Sequence, residues 1–269
     1  MLSLLGQGTF GQVFECMEKR KGNIRAVKVV KNQPAYTRQA SVEVRIFRHL
    51  YGPMTNSKSN SSGAVLFLDH FIHANHLCLV FERLGSNLYE VLKRRQFRGL
   101  SLSSVRGVTR QILSCLVELS SRGIIHCDVK PENILLTMQQ NEKVEENHIR
   151  SEQGREGNHS EDANSLTQSL TPSPPPVDCI SETQQVKLID FGSACFEGGY
   201  SHEYIQSRFY RAPEVLLGVP YDVEIDMWSL GCVAAELYLG LPILPGKDAH
   251  DQLHRISEFV GNVSGWMVE

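Results

Sequence analysis

His126-Cys127-Asp128, followed by Lys130 and Asn133, and then Asp190-Phe191-Gly192, are the residues of this chain whose types and spacing could do chemistry. Two carboxylates and an amide, each at the end of a short apolar run, suit one task. They can hold a nucleotide's phosphates on metal ions and aim a hydroxyl at the terminal phosphate. In that chemistry Asp128 would accept the hydroxyl proton, Asn133 and Asp190 would hold the metals, and Lys130 would neutralise the phosphoryl group in transit. One Asp-bearing loop means little, because an aspartate often only caps a turn. Asp128, Lys130, Pro131, Glu132 and Asn133 together are a far more specific signal.

Upstream, Gly6, Gly8, Gly11 and Val13 make a G-x-G-x-x-G-x-V run that could cover phosphates from a hairpin. The same glycines also open a dinucleotide-binding turn, where the third one starts a helix. Here Gly11 continues into Gln12-Val13-Phe14, a strand pattern, so the βαβ unit that a nucleotide-dependent dehydrogenase needs is missing. Lys28 ends a β-branched run and could be a surface lysine resting its stem on apolar neighbours. Beside the glycine hairpin it fits a lysine that pairs the α- and β-phosphates. Its partner should be a carboxylate on a nearby helix, and Glu43 is the candidate, one residue from an apolar stripe of Val42, Ile46 and Leu50.

Those residues need elements to carry them. Residues 1–31 read as strands, 35–50 as a helix, 56–63 as a Ser/Asn-rich loop, and 65–71 and 76–82 as two further strands. Leu77, Leu79 and Phe81 alternate, and Phe81 is expected to form the back wall of an adenine pocket, with backbone groups of Glu82 and Leu84 offered to the adenine edge. Ser101 can cap a long helix whose Leu102, Val105, Val108, Ile112, Leu116 and Leu119 keep helical spacing. Strands first and helices second predict an α+β chain of two lobes, residues 1–84 and 85–269, joined near 81–86. Asp226 opens a later helix and is expected to bond back to the backbone around His126. Phe191 is expected to pack on the helix bearing Glu43.

Residues 138–185 break the pattern. They carry nine acidic against three basic side chains, a net of −6, and end in a Pro-rich run, Thr171-Pro172-Ser173-Pro174-Pro175-Pro176. Such a composition buries too little apolar surface to offset its ordering entropy, so an expectation of disorder follows. Ile134–Leu136 and Val186–Ile189 flank the segment as two strands that can pair, which sets it at a hairpin tip, where loop length costs little.

Bulk composition sets limits. With 269 residues, 41% hydrophobic and 21% charged side chains, the chain can bury a sizeable core. A net charge of −3 gives neither a nucleic-acid footprint nor a polybasic membrane patch. Seven scattered cysteines without a C-x-x-C pair favour reduced thiols over a disulfide framework or a zinc site. The apolar run Leu230–Leu244 carries Glu236 and is too short to span a bilayer. The chain is therefore expected to be soluble and cytoplasmic or nuclear.

The order glycine loop, Lys28, Glu43, His126-x-Asp128, Asn133, Asp190-Phe191-Gly192 and Ala212-Pro213-Glu214 resembles a eukaryotic protein kinase. The run Ser207-Arg208-Phe209-Tyr210-Arg211-Ala212-Pro213-Glu214 resembles the CMGC group. Cys127 within His-Cys-Asp and the run Tyr204-Ile205-Gln206-Ser207-Arg208 resemble the dual-specificity tyrosine-regulated (DYRK) family, and residues 31–36 and 265–269 its Yak-type branch. The resemblance implies a bilobal protein kinase fold, ATP and Mg²⁺ as cofactors, and serine/threonine phosphorylation of protein substrates, with proline favoured after the acceptor. It places Gly6, Gln7, Gly8, Thr9, Phe10, Gly11, Val13, Ala26 and Leu135 around ATP with Lys28, Phe81, Glu82 and Leu84. Tyr204 would be autophosphorylated and its phosphate received by Arg208 and Arg211, although an aromatic loop that simply packs would look similar. Two departures from the family stand out. His202 replaces a first tyrosine, and the chain stops before the family's last helices, so that Glu214 lacks its arginine and becomes a buried, unpaired carboxylate. A fragment of a longer kinase is the expectation, and an inactive, truncated interaction module is the alternative.

Overall fold

The computed structural model describes residues 1–52, 63–138, 180, 181, 183–198 and 205–261. Most of the acidic segment, the 56–63 loop except Gly63, and His202 and Tyr204 lie outside the described residues.

The chain folds as an antiparallel sheet followed by a helical region, the α+β arrangement expected from the sequence. Strands β1 (Ser3–Gln7), β2 (Gly11–Met17), β3 (Ile24–Val30), β4 (Phe67–His73) and β5 (His76–Glu82) form one five-stranded sheet in the order β1-β2-β3-β5-β4. Its registers bring Val13 opposite Lys28 and Ala26 opposite Phe81, so the prospective nucleotide residues share one region of the sheet. Gly11 faces the Val29 carbonyl so closely that an added Cβ would lie 2.1 Å from it, whereas a Cβ at Gly6 or Gly8 would meet nothing within 4 Å. Of these three positions the fold demands glycine only at 11; at 6 and 8 the small residue leaves the cleft open.

Helix α1 (Pro34–Tyr51) starts with Pro at its first turn, where a missing N–H costs nothing. Its buried face runs through Ala40, Glu43, Val44, Ile46, Phe47 and Leu50. Ile46 and Leu50 of the expected Val42–Ile46–Leu50 line lie on it, and Val42 lies at its edge. Val42 is only half-buried, and the fully buried Phe47, one helical turn from Glu43, anchors the helix on Phe67, Phe81 and Phe191. Glu43 consequently lies within the buried face rather than beside it.

Helices α2 (Leu88–Arg94) and α3 (Leu102–Ser121) begin with side-chain caps. Asn87 and Glu90 form a reciprocal capping box, and Ser101 accepts from the Ser104 N–H. Leu102, assigned to the core stripe of α3 from spacing, is 60% exposed because it occupies the first helical position, before the buried face begins at Val105. Strand β6 (Ile124–Ile125) pairs with β9 (Cys195–Phe196), and β7 (Ile134–Leu136) pairs antiparallel with β8 (Val186–Leu188). Helices α4 (Pro213–Leu217), α5 (Glu224–Leu239) and α6 (Ala249–Val260) complete the described chain. Helix α5 is buried on most sides and includes Asp226, Ser229 and Glu236 among its buried residues, as befits a helix within a core. No described helix is long and apolar enough to cross a membrane. Glu214, expected to be a buried carboxylate, is only half-buried at the start of α4, so water still reaches it. Arg255 pairs with Asp251 on its own helix at 2.9 Å.

Two glycine positions give a test with opposite signs. A Cβ at Gly99 would sit 1.7 Å from the Tyr238 carbonyl oxygen, whereas Gly231, exposed in the middle of α5, has nothing within 4 Å. Gly99→Ala should lower the melting temperature, and Gly231→Ala should raise stability by about 0.5–1 kcal/mol through helix propensity. Thermal and urea unfolding of both variants would check this; the same sign in both would contradict the packing described.

Candidate active site

The glycine hairpin, β3, α1, the end of β5 and the loops after β6 and β8 surround a cleft of about 590 Å³. That size lies within the range of small-molecule sites, about 300–1,000 Å³. Gly6, Gln7, Gly8, Thr9, Phe10, Gly11, Val13, Ala26, Lys28, Glu43, Phe81, Glu82, Leu84, Asn133, Leu135 and Asp190, all singled out from the sequence, line it. Asp128 and Lys130 stand just outside its wall and reach it through Asn133.

Lys28 is the hub. Its Nζ lies 3.0 Å from both carboxylate oxygens of Glu43 and 2.8 Å from Asp190 Oδ1. Burial alone would pull its pKa down, but the Asp190 and Glu43 carboxylates outweigh that, and the shift is upward. Asp190 shows the complementary balance: burial raises its carboxyl, the Lys28 ammonium lowers it more, and the net is downward. The Glu43 side chain is 2% exposed and that of Asp190 38%, so Glu43 holds the lysine from behind while Asp190 faces the cleft. Asp190 adopts φ 60°, ψ 74°, a left-handed conformation uncommon for a non-glycine residue. Phe191 is fully buried against Phe47 at 4.9 Å and the His126 ring at 4.8 Å, and this packing holds the turn.

The loop after β6 is held from below. Asp226 accepts from the His126 N–H at 2.6 Å and from the Cys127 N–H at 2.9 Å. Burial raises the Asp226 carboxyl, against the pull of those two amides. Cys127 thereby takes φ 64°, which reverses the chain and presents Asp128. The His126 Nε2–H donates to the Ile189 carbonyl at 3.0 Å while its Nδ1 accepts the Asp128 N–H at 3.2 Å, a pairing that fits one neutral tautomer. The Cys127 thiol, 3.7 Å from Cys195 Sγ, is pushed upward in pKa by that contact and by burial.

Asp128 gathers the remaining polar groups. Lys130 Nζ lies 2.8 Å from Oδ2, Asn133 Nδ2 donates to Oδ2 at 3.0 Å and to the Asp128 carbonyl at 2.9 Å, and Ser207 Oγ donates to Oδ1 at 2.8 Å. Lys130 Nζ also donates to Ser207 Oγ at 2.9 Å. Since Asn133 turns its amide N–H groups toward Asp128, its amide oxygen is left for another partner. That oxygen and the open side of Asp190 are hard oxygen donors, a set that suits a divalent cation shared with phosphate oxygens. The residues present therefore fit a metal–nucleotide.

Sequence reasoning missed Ser207 and Gln206 here, whereas Arg208 and Arg211 were singled out from the sequence. Ser207 bridges Asp128 and Lys130, yet a serine in an Arg/aromatic run carries no spacing signal. Gln206, at φ 60°, donates to the Ile225 carbonyl at 2.8 Å and to Ser229 Oγ at 2.9 Å, and accepts the Ala212 N–H at 2.8 Å. Arg211 is buried and donates to the carbonyls of Ile205 and Gln206 at 2.8 Å each. Arg208 donates to the Lys247 carbonyl at 2.6 Å. At the hinge, the Glu82 N–H is already used, donating to the Leu66 carbonyl at 3.1 Å. The Glu82 side chain pairs with Lys187.

Glu236, on α5, is 3% exposed and accepts from Tyr210 Oη at 2.6 Å. Burial raises its pKa to about 7, against the Tyr210 hydrogen bond and with Glu132 adding repulsion. The folded value lies above the ordinary glutamate value of 4.5, so the native state holds this proton more tightly than the unfolded chain does. Its contribution to stability is thus present at low pH and declines as pH rises through that window. Glu236→Gln should gain on the wild type by on the order of 2 kcal/mol between pH 5 and pH 8. Urea unfolding at both pH values measures this; an unchanged difference would refute it.

Comparison with known proteins gives the following. The protein kinase domain family model matches residues 1–149 and 179–264. The chain is 42% identical over 272 residues to the dual specificity protein kinase YAK1 of Saccharomyces cerevisiae and 44% identical over 272 residues to the serine/threonine-protein kinase ppk15 of Schizosaccharomyces pombe, in both cases over 100% of its length. It is 41% identical over 261 residues, 97% of its length, to the dual specificity tyrosine-phosphorylation-regulated kinase 4 of Homo sapiens. It spans 28%, 42% and 42% of those proteins respectively, less than half of each.

Proposed function

The chain belongs to the protein kinase domain family, with its similarity running to the Yak-type and DYRK members of the CMGC group, and from that premise we propose that it transfers the terminal phosphate of ATP to serine and threonine hydroxyls of protein substrates and to its own Tyr204. The observation that carries this reading is Lys28, shared between Glu43 and Asp190 on the wall of a cleft that meets the Asp128–Lys130–Asn133 cluster. Every position the chemistry needs holds a competent residue type, which favours an enzyme over an inactive interaction module.

Each residue has a task that follows from its surroundings. Lys28, kept charged by two carboxylates, binds the α- and β-phosphates, and Gly6 and Gly8 let backbone approach them. The carbonyl of Glu82 and the backbone of Leu84 hold the adenine edge, and Phe81, Ala26, Val13 and Leu135 enclose the ring. Asp190 and the Asn133 amide oxygen would hold Mg²⁺, which when bound supplies positive charge to the phosphate oxygens. Asp128 orients the acceptor hydroxyl and receives its proton. Ser207 already rests on Asp128 Oδ1 at 2.8 Å, in the geometry a substrate hydroxyl needs. Lys130, 2.8 Å from Asp128 Oδ2, stands ready to neutralise charge on the transferred group.

Proline preference is part of the same proposal. Arg211 satisfies the carbonyls of Ile205 and Gln206 from within, an arrangement that fixes the loop on which the residue after the acceptor would lie. Tyr204 is the single tyrosine at the family's autophosphorylation position, with His202 two residues before it. Arg208 and Arg211 follow within seven residues and could receive its phosphate.

Asp190→Asn should reduce peptide phosphorylation with Mg²⁺-ATP by about 10²–10³-fold, chiefly in kcat, with the melting temperature little changed. Turnover near that of the wild type would overturn the assignment. Phosphopeptide mapping of protein produced in bacteria should find phosphotyrosine at Tyr204, absent in Asp190→Asn. A tyrosine signal confined to Tyr200 or Tyr210 would remove the autophosphorylation limb.

A further inference from the structure

The tip of the glycine hairpin has little to hold it from within. A Cβ at Gly6 or Gly8 would meet nothing within 4 Å, and β1 is an edge strand that pairs with β2 alone. Across the tip a backbone bond runs from the Gly8 N–H to the Gly11 carbonyl at 2.9 Å. Residues at and just before the start of α1 supply what the hairpin lacks. Lys31 gives its backbone N–H to the Phe10 carbonyl at 2.9 Å and its Nζ to the Thr9 carbonyl at 2.9 Å. The Phe10 ring meets the Tyr36 ring edge to face, with centroids 5.9 Å apart and planes at 87°. Lys31 Nζ lies 5.8 Å from the centre of the Tyr36 ring, a cation–π contact.

Phe10 in turn faces the chemistry. Lys28 Nζ lies 5.7 Å from the centre of its ring. A Cβ built at Gly192 would lie 3.0 Å from Asp190 Oδ1, 3.1 Å from Phe10 Cδ2 and 3.2 Å from Lys28 Nζ, so the three side chains converge on that one glycine. Phe10 thereby stands over the Lys28–Asp190 pair on the cleft side, while Glu43 holds Lys28 from behind. Helix α1 thus reaches this pair twice, through Glu43 in its middle and through Tyr36 in its first turn.

We propose that Lys31 and Tyr36 are positioning residues of this site, a latch that keeps Phe10 as a roof over the Lys28–Asp190 pair and so keeps water from the terminal phosphate of the nucleotide. The proposal rests on the phosphotransfer reading and adds to it what holds the hairpin down. Lys31 is exposed and Tyr36 half-buried, so these contacts can open to admit nucleotide without disturbing the core. With the roof loose, a water oxygen can bond to the terminal phosphorus as the bond to the ADP oxygen breaks, a proton of the water passing to solvent. That side reaction is what a closed site suppresses. If Tyr36 only packed the start of α1, its loss would cost stability and nothing else.

The test compares the full chain with Tyr36→Ala, Tyr36→Phe, Lys31→Ala and Phe10→Ala in two assays. Hydrogen–deuterium exchange of the nucleotide-free proteins, read on peptides covering residues 6–11 and Lys31, reports the latch itself. Exchange there should quicken about tenfold in Tyr36→Ala and about threefold in Lys31→Ala. Tyr36→Phe should exchange at the wild-type rate, because the ring and not the hydroxyl makes the contact. With Mg²⁺-ATP and a serine peptide, the free phosphate released per phosphopeptide formed should rise about tenfold in Tyr36→Ala and in Phe10→Ala, and combining the two should add little. Tyr36→Phe should restore the wild-type ratio. Should Tyr36→Ala fail to fold, Lys31→Ala, at an exposed position, decides in its place. Unchanged exchange overturns the latch, and an unchanged ratio in a folded variant with quickened exchange overturns the roof. Tyr36→Phe behaving like Tyr36→Ala overturns the ring contact on which both depend. A wild type that forms no phosphopeptide counts against the phosphotransfer reading instead, and exchange then decides the latch alone.

Discussion

Two hydrogen bonds from one buried carboxylate set the rest of the site. Asp226, near the start of α5, accepts the N–H groups of His126 and Cys127 at 2.6 and 2.9 Å. Buried amides that lose such an acceptor cost about 1–3 kcal/mol each, so the contact fixes the local path of the chain. The left-handed turn at Cys127 follows from it, and with it the direction of Asp128. The same helix reaches the second loop through Ser229, which donates to the Tyr210 carbonyl at 2.7 Å and accepts from Gln206. Gln206 in turn gives its backbone N–H to the Cys127 carbonyl at 3.0 Å. The loop bearing Asp128 and the loop bearing Ser207 are thus referred to one helix, and their mutual geometry does not depend on their own flexibility.

The chemistry was legible in the sequence to the extent that it depends on residue type. Lys28, Glu43, Asp128, Asn133 and Asp190 could be named because few other side chains can do those tasks and because their order along the chain is specific. The strands and long helices were legible because alternation and helical spacing leave direct marks. What stayed hidden depends on rotation and on backbone direction. A stripe drawn through Val42, Ile46 and Leu50 misses Phe47, because burial of α1 is decided by the aromatic cluster it meets rather than by its own pattern. Leu102 fits the periodicity of α3 but precedes its buried face. Ser207 and Gln206 act through positions that only the folded loop creates. The expectation for Glu214 assumed full burial, and the structure leaves it half in water.

Ionisable groups taken out of water here serve arrangement more than stability. Burying a charge costs several kcal/mol, and pairing it often does no more than recover that. Lys28 with Glu43 and Asp190, and Arg83 with Glu15 at 2.9 Å, link parts of the chain that are far apart in sequence. An apolar pair would tolerate sliding by an ångström; a lysine among three carboxylate oxygens at 2.8–3.0 Å does not. Tyr210 and Glu236 make the same kind of bond beneath the loop after Ser207, where burial and not a cation governs the titration.

The β7–β8 ladder has a consequence for how this chain can change over generations. Its three rungs, Ile134 with Leu188, Leu135 with Lys187 and Leu136 with Val186, close the path between Asn133 and Ile189 whatever is spliced beyond Thr137. The Ile189 N–H donating to the Asn133 carbonyl at 2.8 Å seals it on the cleft side. Loop-closure cost rises only logarithmically with length, so material added at that tip is nearly invisible to the cleft. The hairpin is therefore a natural splice port, a place where lineage-specific sequence, or a reporter domain chosen by an engineer, can be carried without renegotiating the positions of the residues that hold nucleotide.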